Sequence, residues 1–309
     1  MTKLRLTLTV APLALMLAAC GGGGTGLNST PPPTPPPPPP TPPPPPPTPP
    51  PTSDLSPVQI FPDIAVSTDF AALGWESSGS IESIAFEDFS VRYDAATNSY
   101  IMDFPSTPPG GFHEYTANTP NAHWWSGTLV PPGEGIAVGV RKPSDPDLPL
   151  SYTTLANYNV FSGGPEPFGW VAFGSPTPIK GVPVTGSATY NAEVGGSTLD
   201  RMGLIEGTAT LQFNFGAGTL SGHFDPIYFY LGGMGESYAL ASYQFTSTVY
   251  SSGFFAGSLD SAVLPTDGFF EGRFTGPNAE ELMASWVAPY KDPLTLTDGW
   301  MFGVWVGKK

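Results

Sequence analysis

The chain has 309 residues, a single cysteine and a formal net charge of −15. One cysteine excludes a disulfide framework and a Cys-based metal site, and an acidic balance without basic stripes excludes a nucleic-acid partner. From about Ser53 onward, Gly, aromatics, Thr, Ser and Val stand in place of Leu-Glu-Lys-Ala runs, which points to an all-β body.

In chain order, Lys3 and Arg5 precede an apolar stretch from Leu6 to Leu17, and Leu17-Ala18-Ala19-Cys20 follows. A positive start, an apolar run too short to span a bilayer and small residues at a cut site make residues 1–19 a signal peptide. Leu-Ala-Ala-Cys resembles the bacterial lipobox, which implies a lipid anchor at Cys20 holding the chain to a membrane. Two or more acyl chains anchor stably. Gly21 rather than aspartate follows the cysteine, so the expected location is the outer membrane.

Residues 20–56 form a predicted disordered stalk. Gly21 to Gly26 matches G-x-G-x-x-G by letter, but no strand precedes it and no helix follows, which makes it a tether. Thr30 to Thr52 is almost pure proline. Such a run adopts extended polyproline II, and Pro31 to Pro51 would reach on the order of 65 Å.

Residues 57–178 read as a small β-domain with long loops. Ser90–Tyr93 and Tyr100–Phe104 flank a polar connection, as in a hairpin. Ile136–Val140, Ser151–Phe161 and Gly169–Phe173 are further short strands. Proline-rich segments, among them Pro143 to Pro149, separate them and cannot sit in a central ladder. Two segments of this half, Gly111 to Tyr115 and Asn121 to Trp125, place His113 and His123 beside Tyr115, Trp124 and Trp125. Imidazole next to aromatic walls suits haem and aromatics suit a protein partner, so these five residues are the candidate ligand-binding set. Ordinary packing of a histidine against tryptophan is the competing reading.

Residues 179–309 carry eight evenly spaced strand signals, near 183–193, 204–215, 219–231, 238–250, 253–262, 268–276, 279–288 and 299–307. Eight antiparallel strands with short turns are best closed into an up-and-down barrel, which removes exposed edges. Leu211, Phe213, Phe215, Phe270, Phe274, Leu282 and Trp286 are the expected filling. Gly222 and Gly272 fit sites where a large aromatic crosses, and Pro226 predicts a bulge or break in its strand. A membrane-spanning barrel would need aromatic girdles and a lipid-facing apolar band, whereas these strands expose Thr, Gln, Asn, Glu and Arg.

The run Gly272 to Glu281, Gly-x-Phe-x-Gly-Pro-x-Ala-x-Glu, resembles the closing signature of the transferrin-binding-protein-like β-barrel of bacterial surface lipoproteins. Val184 to Tyr190 and Phe213 to Gly222 resemble the opening strand and first hairpin of that barrel, and the likeness runs over about residues 150–309. The half before it resembles loosely the handle domain of transferrin-binding lipoproteins. The resemblance implies a handle-like β-domain followed by an eight-stranded barrel, a solute or an iron- or haem-carrying protein as partner, and export by an outer-membrane translocator. One such lobe, where the transferrin receptor has two, does not imply transferrin itself.

Catalytic signals are absent. There is no G-x-S-x-G, H-E-x-x-H, P-loop lysine or cysteine nucleophile, and only three histidines. Glu280 and Glu281 are adjacent, point to opposite faces and read as turn and surface residues. His223 reads as a sheet-face residue. No enzyme, metal or cofactor is expected, with haem entering only as a ligand of His113 or His123. Two other readings compete with ligand capture: a structural or adhesion envelope lipoprotein with a solid barrel, and a hydrolase with a dispersed triad.

Overall fold

The computed structural model describes residues 60–61, 63–80, 89–106, 114–120, 123–130, 135–161, 166–233, 235–246, 249–251, 253–264 and 266–309. The signal peptide, Cys20, the proline run and His113 lie outside the described residues.

The first sheet consists of β1 (Thr68–Ser77), β2 (Ser90–Asp94), β3 (Ser99–Asp103), β4 (Glu114–Pro120), β5 (Trp124–Val130), β6 (Gly135–Arg141), β7 (Thr153–Phe161) and β8 (Phe168–Gly174). Neighbours pair antiparallel in sequence order, and β1 returns to pair with β8, so the sheet closes. Seven pairs from Ala71↔Gly174 to Ser77↔Phe168 make that closure. Among the described residues, β3 meets β4 at Ile101↔Glu114. The expected hairpin and later strands are present. β1, β4 and β5 complete a sheet larger than the sequence suggested.

The second sheet contains β9 (Ser187–Thr198), β10 (Gly203–Asn214), β11 (Thr219–Tyr230), β13 (Tyr243–Thr246), β15 (Phe254–Ser261), β16 (Gly268–Thr275), β17 (Glu281–Lys291) and β18 (Asp298–Lys308), with short β12 (Ser237–Ala239) and β14 (Val249–Ser251) at the side. The order β10-β9-β18-β17-β16-β15-β13-β11 is sealed by the β10–β11 ladder, giving the eight-stranded antiparallel barrel. Phe270, Gly272 and Phe274 point inward on β16, opposite Trp286, Ala284 and Leu282 of β17. All seven residues expected to fill this barrel belong to its buried core, where Trp286 and Trp305 are fully enclosed. Each such aromatic contributes on the order of 2 kcal/mol by leaving water.

A Cβ on Gly272 would stand 2.5 Å from the Phe255 ring, and one on Gly222 would meet the Thr210 carbonyl and the Phe245 ring. Glycine at these positions lets the aromatic lie flat across the neighbouring strand. Pro226 causes no bulge, since β10 and β11 pair without interruption from Gly203↔Tyr230 to Asn214↔Thr219. It lies instead where the other edge of β11 changes partner, from β13 up to Phe224 to β12 from Ile227. A proline has no N–H for either ladder there.

A third apolar cluster joins the sheets. Leu150, Leu155, Phe168, Trp170 and Ala172 of the first meet Met283, Phe302, Val304 and Val306 of the second. This explains why β8, β17 and β18 are buried on both faces. Glu281, expected as a surface residue, is buried at this junction at 4% exposure. Its carboxylate accepts from the backbone N–H groups of Ser151 (2.6 Å), Tyr152 (2.9 Å) and Thr153 (3.0 Å). A carboxylate that finds three donors in a loop 130 positions away can be buried.

Candidate functional site

The space between the outer faces of the two barrels is incompletely filled. Beside the apolar junction lies a cavity of about 920 Å³, within the size range of ligand pockets, about 300–1,000 Å³. β5 to β8 form one wall, and β9 and β10 form the other. Strand alternation decides what faces it. On β5, Trp124 and Ser126 point into the cavity while Trp125 packs toward the first barrel's core.

The candidate set from the sequence therefore divides. His123 and Trp124 line the cavity. Tyr115 is buried inside the first barrel and its hydroxyl donates to the Trp125 carbonyl at 3.0 Å. Tyr115 and Trp125 are thus structural partners of one another. Burial pushes the Tyr115 phenol well above its ordinary value, as expected where ionisation would strand a charge.

The loop after β6 supplies residues that the sequence marked only as proline-rich. Arg141, at the end of β6, is fully buried, and the loop wraps its guanidinium: Nη1 donates to the Lys142 carbonyl at 3.2 Å and Nη2 to the Leu148 carbonyl at 2.9 Å. Nε donates to Glu193 of β9 at 2.8 Å. This fixed turn places Asp145 with its Oδ2 3.0 Å from His123 Nδ1, while Asp147 Oδ2 stands 3.9 Å away. The Asp145 side chain is 4% exposed and that of Asp147 81% exposed. His123, Asp145 and Asp147 have ligand atoms within 4.8 Å of one another, the group among the described residues closest to a metal-ligating arrangement.

Across the cavity, Glu206 on β10 is held above its ordinary value, first by lost hydration and then by the charge of Glu193. Trp170 on β8 contributes a second indole, its ring centre 6.2 Å from that of Trp124 at 78°. Trp170 Nε1 donates to Ser197 Oγ at 2.9 Å, and a Cβ on Gly195 would collide with its ring. Trp170 is thereby held in one orientation. His223 lies on the outer face of β11, 3.4 Å from Asp225 and 43% exposed, as a sheet-face residue should.

No protein-family model matches the chain, and no curated protein matches it. Solved structures of transferrin-binding protein B do. A double mutant of that protein from Haemophilus parasuis is 15% identical, with a TM-score of 0.48, over 77% of this chain and 44% of the other. Intact Ap-TbpB, with N and C lobes, is 13% identical with a TM-score of 0.48, over 78% and 45%. The isotype 1 protein from serogroup B Neisseria meningitidis is 12% identical with a TM-score of 0.42, over 77% and 43%. The chain spans less than half the length of each of these proteins.

Proposed function

We propose that this chain is a non-enzymatic lipoprotein, anchored in the outer membrane through Cys20 and displayed on a proline stalk, that captures a ligand in the cavity between its two barrels. The observation that carries the reading is the cavity itself: two indoles, an imidazole and several carboxylates line it, while the second barrel's interior is filled with aromatic side chains. Among the described residues His123 Nδ1 faces the carboxylates of Asp145 and Asp147, an arrangement that favours binding over nucleophilic catalysis.

The motif resemblance adds iron or haem acquisition as the setting. Haem itself suits the cavity poorly, because its propionates would face Asp145, Asp147 and Glu206 across a wall of like charge. A cavity of about 920 Å³ admits a solute and not a folded protein, and its carboxylates favour a cationic one. Protease shaving of intact cells tests the display. Wild type should be cleaved with Cys20 acylated, and Cys20→Ser should leave the surface. Protection of the wild type in intact cells would remove the surface reading.

A further inference from the structure

The cavity has a chemical bias. Four carboxylates line it, Asp145 and Asp147 from one wall and Glu193 and Glu206 from the other. The guanidinium beside them is already committed, since Arg141 binds Glu193 and two backbone carbonyls and stands 3.8 Å from Asp145. Arg141 carries one positive charge against four carboxylates. The neighbouring cation, Lys142, lies 5.6 Å over the ring of Trp125, an indole that packs toward the first barrel's core.

Such a wall repels phosphates and carboxylates and attracts cations. The shape then selects among cations. A bare divalent ion would meet one imidazole and two carboxylates at His123, Asp145 and Asp147, fewer than the six or so oxygens a hard cation takes, and would leave most of the 920 Å³ unfilled. The half-buried indole of Trp124, backed by the buried ring of Trp170, offers apolar area and a cation-attracting ring face. An extended molecule with positive charges separated by methylenes would satisfy both walls and the Trp124 ring.

We propose that the cavity binds an organic polycation of the di- or polyamine class, its ammonium groups meeting Asp147 on one wall and Glu206 on the other, with its methylene spine along Trp124. This rests on the reading that the cavity is the capture site. Binding makes and breaks no covalent bond.

Spermidine is the probe, titrated into the detergent-extracted mature protein and followed by indole fluorescence and calorimetry. One spermidine per chain should bind saturably. Trp124→Ala, and separately the double change Asp147→Asn with Glu206→Gln, should each weaken binding by about tenfold or more, and the double change should do so without lowering the melting temperature, since both carboxylates are exposed. Thr208→Trp, which places a large ring in the cavity from β10, should abolish it. Absence of saturation, affinity unchanged in these variants, or full displacement by equimolar Mg²⁺ would overturn the proposal. So would Mn²⁺ binding more tightly than spermidine and failing in Asp147→Asn, since the site would then be a metal site. Whether the cavity is a capture site at all is read by a different measurement, one that assumes no ligand class, so the two failures are distinguishable.

Discussion

Arg141 Nη2 lies 2.6 Å from Glu193 Oε2, a pair that ties the end of β6 in the first barrel to β9 in the second. Removing one member of a buried pair strands the other, at a cost of about 3–5 kcal/mol. Glu193 is 34% exposed, which moves the expectation to the low end. Arg141→Met should destabilise the protein by about 3 kcal/mol in urea unfolding, with part recovered on adding Glu193→Gln. A loss under about 0.5 kcal/mol, the scale of an ordinary surface change, would mean the pair does not join the barrels.

Glu281 makes the same kind of junction with backbone donors. Glu281→Ala leaves the N–H groups of Ser151, Tyr152 and Thr153 without their acceptor, and should cost about 3 kcal/mol. Hydrogen exchange localises the effect. Those three amides should lose protection first, and uniform loss over the whole chain would contradict the assignment.

Glu271, half-buried on the outer face of β16, is raised above the ordinary carboxylate value by burial. A carboxyl raised in the folded state binds its proton more tightly there than in the unfolded chain. Its contribution is present at acid pH and lost as pH rises from the unfolded Glu value, about 4.3, through the folded one. Glu271→Gln should therefore melt higher than wild type at pH 7, by about 2 °C, and equally at pH 4. A gap that widens toward acid would reverse the sign and refute the argument.

Gly272 tests the packing of the second barrel. Gly272→Val forces the Phe255 ring away from its place over β16 and should cost about 2 kcal/mol or more, read as a shift in the urea midpoint. Thermal and chemical midpoints unchanged from wild type would show that the ring has room to move.

The sequence carried the second barrel well because most of its strands have one packed face and one wet face. On β10, Ala209, Leu211 and Phe213 are buried while Thr208, Gln212 and Asn214 are exposed. Where the barrels meet, that signal blurs: β8 is buried at every position, and Met283, Val304 and Val306 are covered only because another sheet lies on them. β1 was illegible for a related reason, with Phe70 serving the first barrel's core and Leu73 the junction. His123 and Trp124 were visible as a pairing of residue types. Asp145, Glu193 and Glu206 were not, since they meet them only when strands distant in sequence come together. Glu281 was visible as the last residue of the closing motif, but its burial was not, because its partners are backbone amides.

The most direct test of the account is native mass spectrometry of the protein extracted from its own membrane, as wild type and as Thr208→Trp. The wild type should appear without residues 1–19, acylated at Cys20 and carrying a non-covalent ligand mass that the blocked variant lacks. An unacylated chain, or the same ligand mass in both proteins, would contradict capture in the cavity between the barrels by a lipid-anchored protein.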